Sequence, residues 1–238
     1  MNIAWILLYT LITHGLEIVI FFKVDGIGIT FERIFKAFLF KILLAFVFLM
    51  IEYMVGDNYL FYFMEPLYGI GLSFLLLRGL PKKLLLFYGL FPMILVNLFH
   101  RGVSYFVLPF LGQGQVYDDY SFAWLCIIIF NFFISLVFLK WLDYDFTNLR
   151  RGILDKTFQK SLTKINWIMG AYYLVMQSLS FFEYEQGIQS KTVRHLILVF
   201  YLLFFMGVIK KLDTYLKDKL HERLDQEQAL RYRDMERY

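Results

Sequence analysis

Residues 37–55 read AFLFKILLAFVFLMIEYMV, and this stretch decides the class of the protein. Lys41 and Glu52 are its only charged residues, and most of the others are large and apolar. A helix needs about 20 mostly apolar residues to cross the hydrocarbon core of a membrane. The stretch therefore predicts a transmembrane helix.

The composition of the whole chain agrees with a membrane protein. Of the 238 residues, 59% are hydrophobic, 21% are aromatic and only 18% are charged. An ordinary soluble domain is about 45–50% apolar and about 25% charged. The excess of apolar residues excludes a soluble domain and a disordered chain. The single cysteine, Cys126, excludes a disulfide scaffold.

Six other stretches have nearly the same length and character. We predict an all-α polytopic membrane helix bundle of about seven spans, with the N-terminus outside. Numbered in chain order, spans 1 to 7 cover residues 3–22, 37–55, 60–77, 84–100, 122–139, 165–182 and 193–209. A six-span alternative leaves span 4 or span 7 in the membrane interface. Residues 102–111 are expected to leave span 4 and to lie along the outer surface as an aromatic lip.

The distribution of basic residues predicts the orientation. The loops after spans 1, 3 and 5, and the segment after span 7, are rich in lysine and arginine, whereas the opposite loops have few. Basic loops stay in the cytoplasm. We therefore predict a multi-pass protein of the cell (plasma) membrane with a cytoplasmic C-terminus. The net charge of +4 reflects this asymmetry, so the lipid bilayer is the expected partner and nucleic acid is not.

Residues 210–238 differ in composition from the rest of the chain. Charges of both signs alternate there, and the segment has no glycine or proline. Four leucines recur at every fourth position, namely Leu212, Leu216, Leu220 and Leu224. This spacing predicts a cytoplasmic signalling helix, following a transmembrane sensor domain at 1–209, that forms a coiled-coil-like homodimer. The alternative is a solvated helix that ends in disorder.

Several polar residues lie inside the predicted spans, where they are costly unless they are paired. Glu17 and Lys41 lie at similar depth toward the cytoplasmic ends of spans 1 and 2, which predicts a structural ion pair. Lys41 could instead extend to the lipid headgroups. Asn97, Asn131 and Gln177, near mid-membrane in spans 4, 5 and 6, are expected to form hydrogen bonds between helices. His14 is expected to be an interior histidine with its hydrogen bonds satisfied.

A second group of polar residues is predicted at the outer side of the membrane. The candidate ligand-binding residues are Glu52, Glu65, His100, Arg101, Asp118 and Asp119. The two glutamates lie toward the outer ends of spans 2 and 3, the next two residues end span 4, and the aspartates follow in an outer loop. This arrangement predicts a polar anchor for an extracellular ligand with aromatic walls. The alternative is a structural network that joins three helices.

The sequence offers little for catalysis. It contains no metal-binding spacing, no nucleophile motif and no phosphate-binding loop, so neither a metal nor another cofactor is expected. The alternative function is a membrane peptidase or exporter that handles a small secreted peptide, with Cys126 near His100. A small buried apolar cysteine is the favoured interpretation of Cys126, because nothing nearby would activate its thiol.

Residues 58–102 read NYLFYFMEPLYGIGLSFLLLRGLPKKLLLFYGLFPMILVNLFHRG. This stretch resembles the membrane sensor region of streptococcal peptide-pheromone receptor histidine kinases, of the competence-peptide and bacteriocin-peptide types. The segments that carry the resemblance are Glu65-Pro66-Leu67-Tyr68, Phe87-Tyr88-Gly89-Leu90 and residues 97–101. The number of spans and the charged helix that follows them agree with it.

The resemblance implies quorum sensing through a two-component system. A secreted peptide pheromone would bind the receptor from outside, and the bundle would transmit the signal to the cytoplasmic helix. In the family, that helix continues to a phosphoacceptor motif of the form F-R-H-D-Y and to an ATP-binding domain. The four histidines here are His14, His100, His195 and His221, and none precedes Asp-Tyr. No catalytic activity is therefore expected from these residues alone.

Overall fold

The computed structural model describes residues 3–55, 64–111, 122–142, 146–147, 149–150, 156–186 and 210–235. Within these ranges the chain forms seven helices and no strand, which confirms the all-α class. The helices are α1 (Ile3–Asp25), α2 (Phe31–Val55), α3 (Met64–Leu76), α4 (Lys82–Leu111), α5 (Phe122–Leu142), α6 (Lys156–Gln186) and α7 (Lys210–Met235).

Two helices in the described ranges contain a stretch that is long and apolar enough to cross a membrane. They are α2, over Phe31–Met54, and α4, over Lys82–Phe99. Shorter apolar stretches lie at Met64–Leu76 and Leu125–Lys140. These findings support association with a membrane. The number of seven spans and the orientation stay predictions, and span 7 falls outside the described residues.

The predicted outer lip is wrong in its backbone conformation. Residues 102–111 continue α4 without interruption, so that this helix has 30 residues. At a rise of 1.5 Å per residue its length is about 45 Å, which exceeds the roughly 30 Å of a hydrocarbon core. A glycine and a proline inside an apolar run do not end this helix.

Helix α4 lies at the centre of the bundle and contacts α1, α3, α5 and α6. Its closest neighbour is α3, which joins it through a short turn at residues 77–81. A Cβ atom added to Gly69 would lie 2.2 Å from the Gly89 carbonyl oxygen, and one added to Gly89 would lie 2.5 Å from the Ile70 Cα atom. The two backbones therefore touch. The Ser73 hydroxyl supports this crossing by donating to the Leu85 carbonyl at 2.7 Å.

Helix α2 is strongly apolar and yet mostly exposed. Only 17% of its most apolar stretch is buried, compared with 72% for α4. Exposed apolar side chains run along it, among them Ile42, Leu43, Phe46 and Val47. A surface of this kind is unfavourable in water, and it is the surface that a helix presents to lipid.

The chain divides into two compact units, Met1–Ser190 and Lys191–Tyr238. The predicted boundary after residue 209 falls inside the second unit. Its described helix, α7, is strongly charged, and the described side chains along it are mostly exposed. Of the four leucines predicted at its seam, Leu224 is exposed. The side chains of Leu212, Leu216 and Leu220 lie outside the described residues, so the homodimer stays a prediction.

Candidate functional site

A cluster of charged side chains lies between α1 and α2. The Lys41 Nζ atom is 2.5 Å from a Glu17 carboxylate oxygen and 2.5 Å from His14 Nδ1. Lys41 is buried, so it does not extend to the headgroups. The structure thus brings together the predicted ion pair and adds His14 to it.

The geometry also defines the proton positions in this cluster. An ammonium group can only donate hydrogen bonds, so His14 Nδ1 must accept one from Lys41. A neutral His14 therefore has its proton on Nε2. The 3.3 Å approach of His14 Nδ1 to the Glu17 carboxylate is then a close contact between two acceptors rather than a hydrogen bond.

Tyr68 of α3 completes the surroundings of Lys41. The Lys41 ammonium lies 4.9 Å from the centre of the Tyr68 ring, within the range of a cation–π interaction. The Tyr68 hydroxyl donates to the Ala37 carbonyl of α2 at 3.3 Å. One lysine therefore connects three helices, and an apolar substitution at this position would lose its contacts with Glu17, His14 and the Tyr68 ring.

A cavity of about 250 Å³ lies beside this cluster, between α1, α3, α4 and α5. Its polar lining residues are Tyr9, Thr13, Glu17, Glu65, Asn97 and Asn131. The remaining wall is apolar and includes Leu16, Met93 and Phe132. This combination of apolar walls with a few convergent polar groups is typical of a ligand site.

The helical repeat explains how these residues come to face the same space. Tyr9, Thr13 and Glu17 follow one another at intervals of four on α1. Met93 and Asn97 have the same spacing on α4. Residues four apart lie on one face of a helix, so each helix contributes a stripe of side chains to the cavity.

Among the predicted ligand-binding residues whose side chains the structure describes, Glu65 is the one that lines the cavity. It lies in the first turn of α3, where a negative charge is favourable to the helix dipole. The Tyr173 hydroxyl of α6 lies 3.4 Å from a Glu65 carboxylate oxygen and can donate to it. Glu65 is thus held at a junction of three helices.

The other predicted ligand residues have different positions. Glu52 is partly exposed on α2 and is not among the residues that line the cavity. The backbone of His100 and Arg101 belongs to α4, but the side chains of these two residues are outside the described part of the structure. Asp118 and Asp119 lie outside the described residues altogether. The predicted cluster therefore stays a prediction, apart from the position of Glu65.

A contact that the sequence did not indicate lies at the end of α1. Asp25 is fully buried, and its carboxylate oxygens have no hydrogen-bond partner among the residues that the structure describes. Burial raises the pKa of Asp25 well above its usual value, and the nearby Arg150 partly opposes this effect. Arg150 donates to the backbone carbonyl of Asp25.

Arg150 also contacts α4. Its guanidinium lies 5.4 Å from the centre of the Tyr88 ring, and the Tyr88 hydroxyl donates to the Phe146 carbonyl.

The interpretation of Cys126 as a buried residue is wrong, because its side chain is exposed on α5. An apolar helix that presents one face outward exposes its small residues along with its large ones. No group of three or more potential metal ligands occurs among the described residues. The described part of the chain thus provides a cavity, a buried ion pair of Glu17 with Lys41, and a buried carboxyl group at Asp25.

The chain was compared with models of protein families, with curated proteins and with solved structures, and none of them matched.

Proposed function

We propose that the chain is the membrane sensor region of a peptide-pheromone receptor of the quorum-sensing histidine kinase type. A secreted peptide binds from outside, and the bundle passes the signal to α7. The observation that carries the proposal is the cavity between α1, α3, α4 and α5, whose lining includes Glu65. A peptide side chain with an apolar stem and a charged end can pack its stem against the apolar wall and place its charge near a carboxylate such as that of Glu65.

Helix α7 supports the proposal as an output element. It is a long helix in a compact unit of its own, and its described surface is rich in charge rather than in apolar residues. The leucines that recur at every fourth position of this helix give it an apolar stripe, through which it gains stability by pairing with a second copy. In the proposed receptor, the peptide would favour one of two arrangements of the bundle, and paired α7 helices would respond to the difference.

The test uses the full chain in nanodiscs of neutral phosphatidylcholine. The probe is a fluorescent synthetic amphipathic peptide with lysines on its polar face, and a second peptide has glutamates in their place. We expect saturable binding of the lysine peptide by fluorescence anisotropy, and weaker binding of the glutamate peptide. Exposed charges interact over about 8–10 Å at physiological salt, so the difference should shrink as salt is added.

Two charge-reversed variants locate the binding face. Replacing Asp118→Lys and Asp119→Lys together should weaken binding of the lysine peptide at low salt. The matched control is Asp218→Lys with Asp225→Lys, which reverses two exposed charges on α7 and should leave the affinity unchanged. The proposal would be overturned if the two double variants bound the lysine peptide with equal affinity. It would also be overturned if the peptide bound nanodiscs with the chain no better than empty nanodiscs.

The same preparation separates a receptor from a peptidase. A receptor returns the peptide intact, and the variant Cys126→Ala binds it as the wild-type chain does. Cleavage of the peptide that is lost in Cys126→Ala would instead establish the peptidase and refute the receptor. Mass spectrometry of the recovered peptide distinguishes the two results.

A further inference from the structure

The charged side chains among the described residues that line the cavity are of one sign. Glu17 and Glu65 both line it, and none of the described lining residues is a lysine or an arginine. Lys41, which neutralises Glu17, approaches that carboxylate from α2, and α2 contributes no residue to the lining. A positively charged group is therefore favoured inside the cavity, and an anionic group is disfavoured.

The positions of the hydrogen-bond acceptors distinguish between kinds of cation. Residues with carboxylate, amide or hydroxyl groups line the cavity from four different helices, at Thr13, Glu65, Asn97 and Asn131. An ammonium group has three donors that point in different directions, whereas a guanidinium is planar and prefers one carboxylate in a bidentate contact. Acceptors spread around a space therefore suit the ammonium better.

The size and the apolar wall define the rest of the ligand. A cavity of about 150 Å³ can hold a benzene molecule, and this cavity, at about 250 Å³, is larger. Leu16, Met93 and Phe132 provide a surface for methylene groups. A short alkyl chain that ends in an ammonium group would fill both parts of the site, since lysine side chains also bury their stems along apolar surfaces.

We propose that the cavity binds one primary alkylammonium group, with the charge near Glu65 and the alkyl stem against Leu16, Met93 and Phe132. That this group is a lysine side chain or the N-terminus of a peptide rests on the proposed function. The binding of the ammonium group itself does not rest on it.

The experiment measures binding of n-hexylammonium to the full chain in phosphatidylcholine nanodiscs by isothermal titration calorimetry, with empty nanodiscs subtracted. Hexan-1-ol, a neutral compound of similar shape, and n-hexylguanidinium are the comparison compounds. We expect saturable binding of the ammonium, at least tenfold tighter than that of the guanidinium, and no saturable binding of the alcohol.

Two variants that act in different ways locate the site. Glu65→Gln keeps the size of the side chain and removes its charge, and it should weaken binding of n-hexylammonium at least tenfold. Val96→Phe fills the cavity from α4 without altering a carboxylate, and it should do the same. The matched control, Glu52→Gln, removes a carboxylate from outside the cavity and should bind as the wild type does. Circular dichroism checks that each variant keeps its helical content.

The possible results distinguish a failure of the ammonium site from a failure of the proposed receptor function. Unchanged affinity in both Glu65→Gln and Val96→Phe, or equal binding of hexan-1-ol, would overturn the ammonium site. If the lysine peptide binds the chain but n-hexylammonium does not compete with it, the receptor stands and the ammonium site fails. If n-hexylammonium binds as expected and no peptide binds, the receptor fails and the site remains.

Discussion

At the scale of single residues, Lys41 makes the contacts that hold the buried cluster together. It donates to both Glu17 and His14 and lies over the ring of Tyr68. Removing one partner of a buried ion pair leaves the other uncompensated, which typically costs about 3–5 kcal/mol. The opposite charges of Glu17 and Lys41 allow this pair to lie within an apolar bundle.

Opposite charge and similar depth were enough to predict the contact of Glu17 with Lys41. The addition of His14 and Tyr68 could not be predicted in the same way, since depth along a span does not define how a helix is rotated about its axis. Asp25 and Arg150 are separated by 125 residues. Their contact depends on the tertiary packing of α1 against the segment after α5, so no local sequence pattern predicts this contact.

Asp25 leads to a prediction about pH. It lies just beyond the predicted span 3–22, and burial raises the pKa of its carboxyl above 3.8. The folded chain therefore holds this proton more tightly than the unfolded chain does. The resulting stabilisation is complete below about pH 3.8 and is lost as the pH rises through the raised pKa. The variant Asp25→Asn, which imitates the protonated acid, should gain stability over the wild type as the pH rises from 4.

The measurement is the thermal unfolding midpoint in nanodiscs at a series of pH values. The gain can grow by at most about 1.4 kcal/mol for each pH unit within that window. Asp218→Asn, at an exposed position of α7, is the control and should show a constant difference from the wild type. A constant difference for Asp25→Asn as well would contradict the prediction.

At the scale of the elements, the crossing of α3 and α4 is the closest packing in the described bundle. The contacts at Gly69 and Gly89 are between backbone atoms, so no side chain can rotate away to make room. The segments with the resemblance contain Gly89 and the residues just before Gly69. The sequence did not indicate why those glycines are needed, because close approach depends on which faces of two helices meet.

The glycines provide a matched test. We predict that Gly89→Ala destabilises the chain by about 1–3 kcal/mol, since the added methyl group would have to separate two backbones. Gly170→Ala, on α6, meets no atom within 4 Å and should be neutral or stabilising by up to about 1 kcal/mol. Chemical unfolding of both variants in nanodiscs measures the difference. Equal stability of the two variants would show that α3 and α4 are not in close contact.

At the scale of the whole molecule, the exposed apolar surface of α2 and the buried surface of α4 agree with a bundle in lipid. The predicted all-α class is confirmed and association with a membrane is supported, whereas the number of spans stays a prediction. The continuous α4 was not predicted, because a glycine and a proline were taken to end the helix. The bundle packs α4 against four neighbours, and such contacts hold a helix together through residues of low helix propensity.

The orientation can be tested in a background of Cys126→Ser, which removes the exposed native thiol. A membrane-impermeant maleimide should label Asp118→Cys in intact cells that express the chain. It should label Asp218→Cys only after the cells are permeabilised. The reverse pattern would show that the basic loops do not lie in the cytoplasm. Labelling of both positions in denatured protein controls for the reactivity of each thiol.

The backbone contact of Gly69 with Gly89 has a consequence for movement in the bundle. Because the two backbones touch and the Ser73 hydroxyl also joins them, we expect α3 and α4 to move together as one body. The cavity has this body on one side and α1 and α5 on the other. We therefore expect a change in the width of the cavity to come from movement of α1 and α5 relative to the α3–α4 pair.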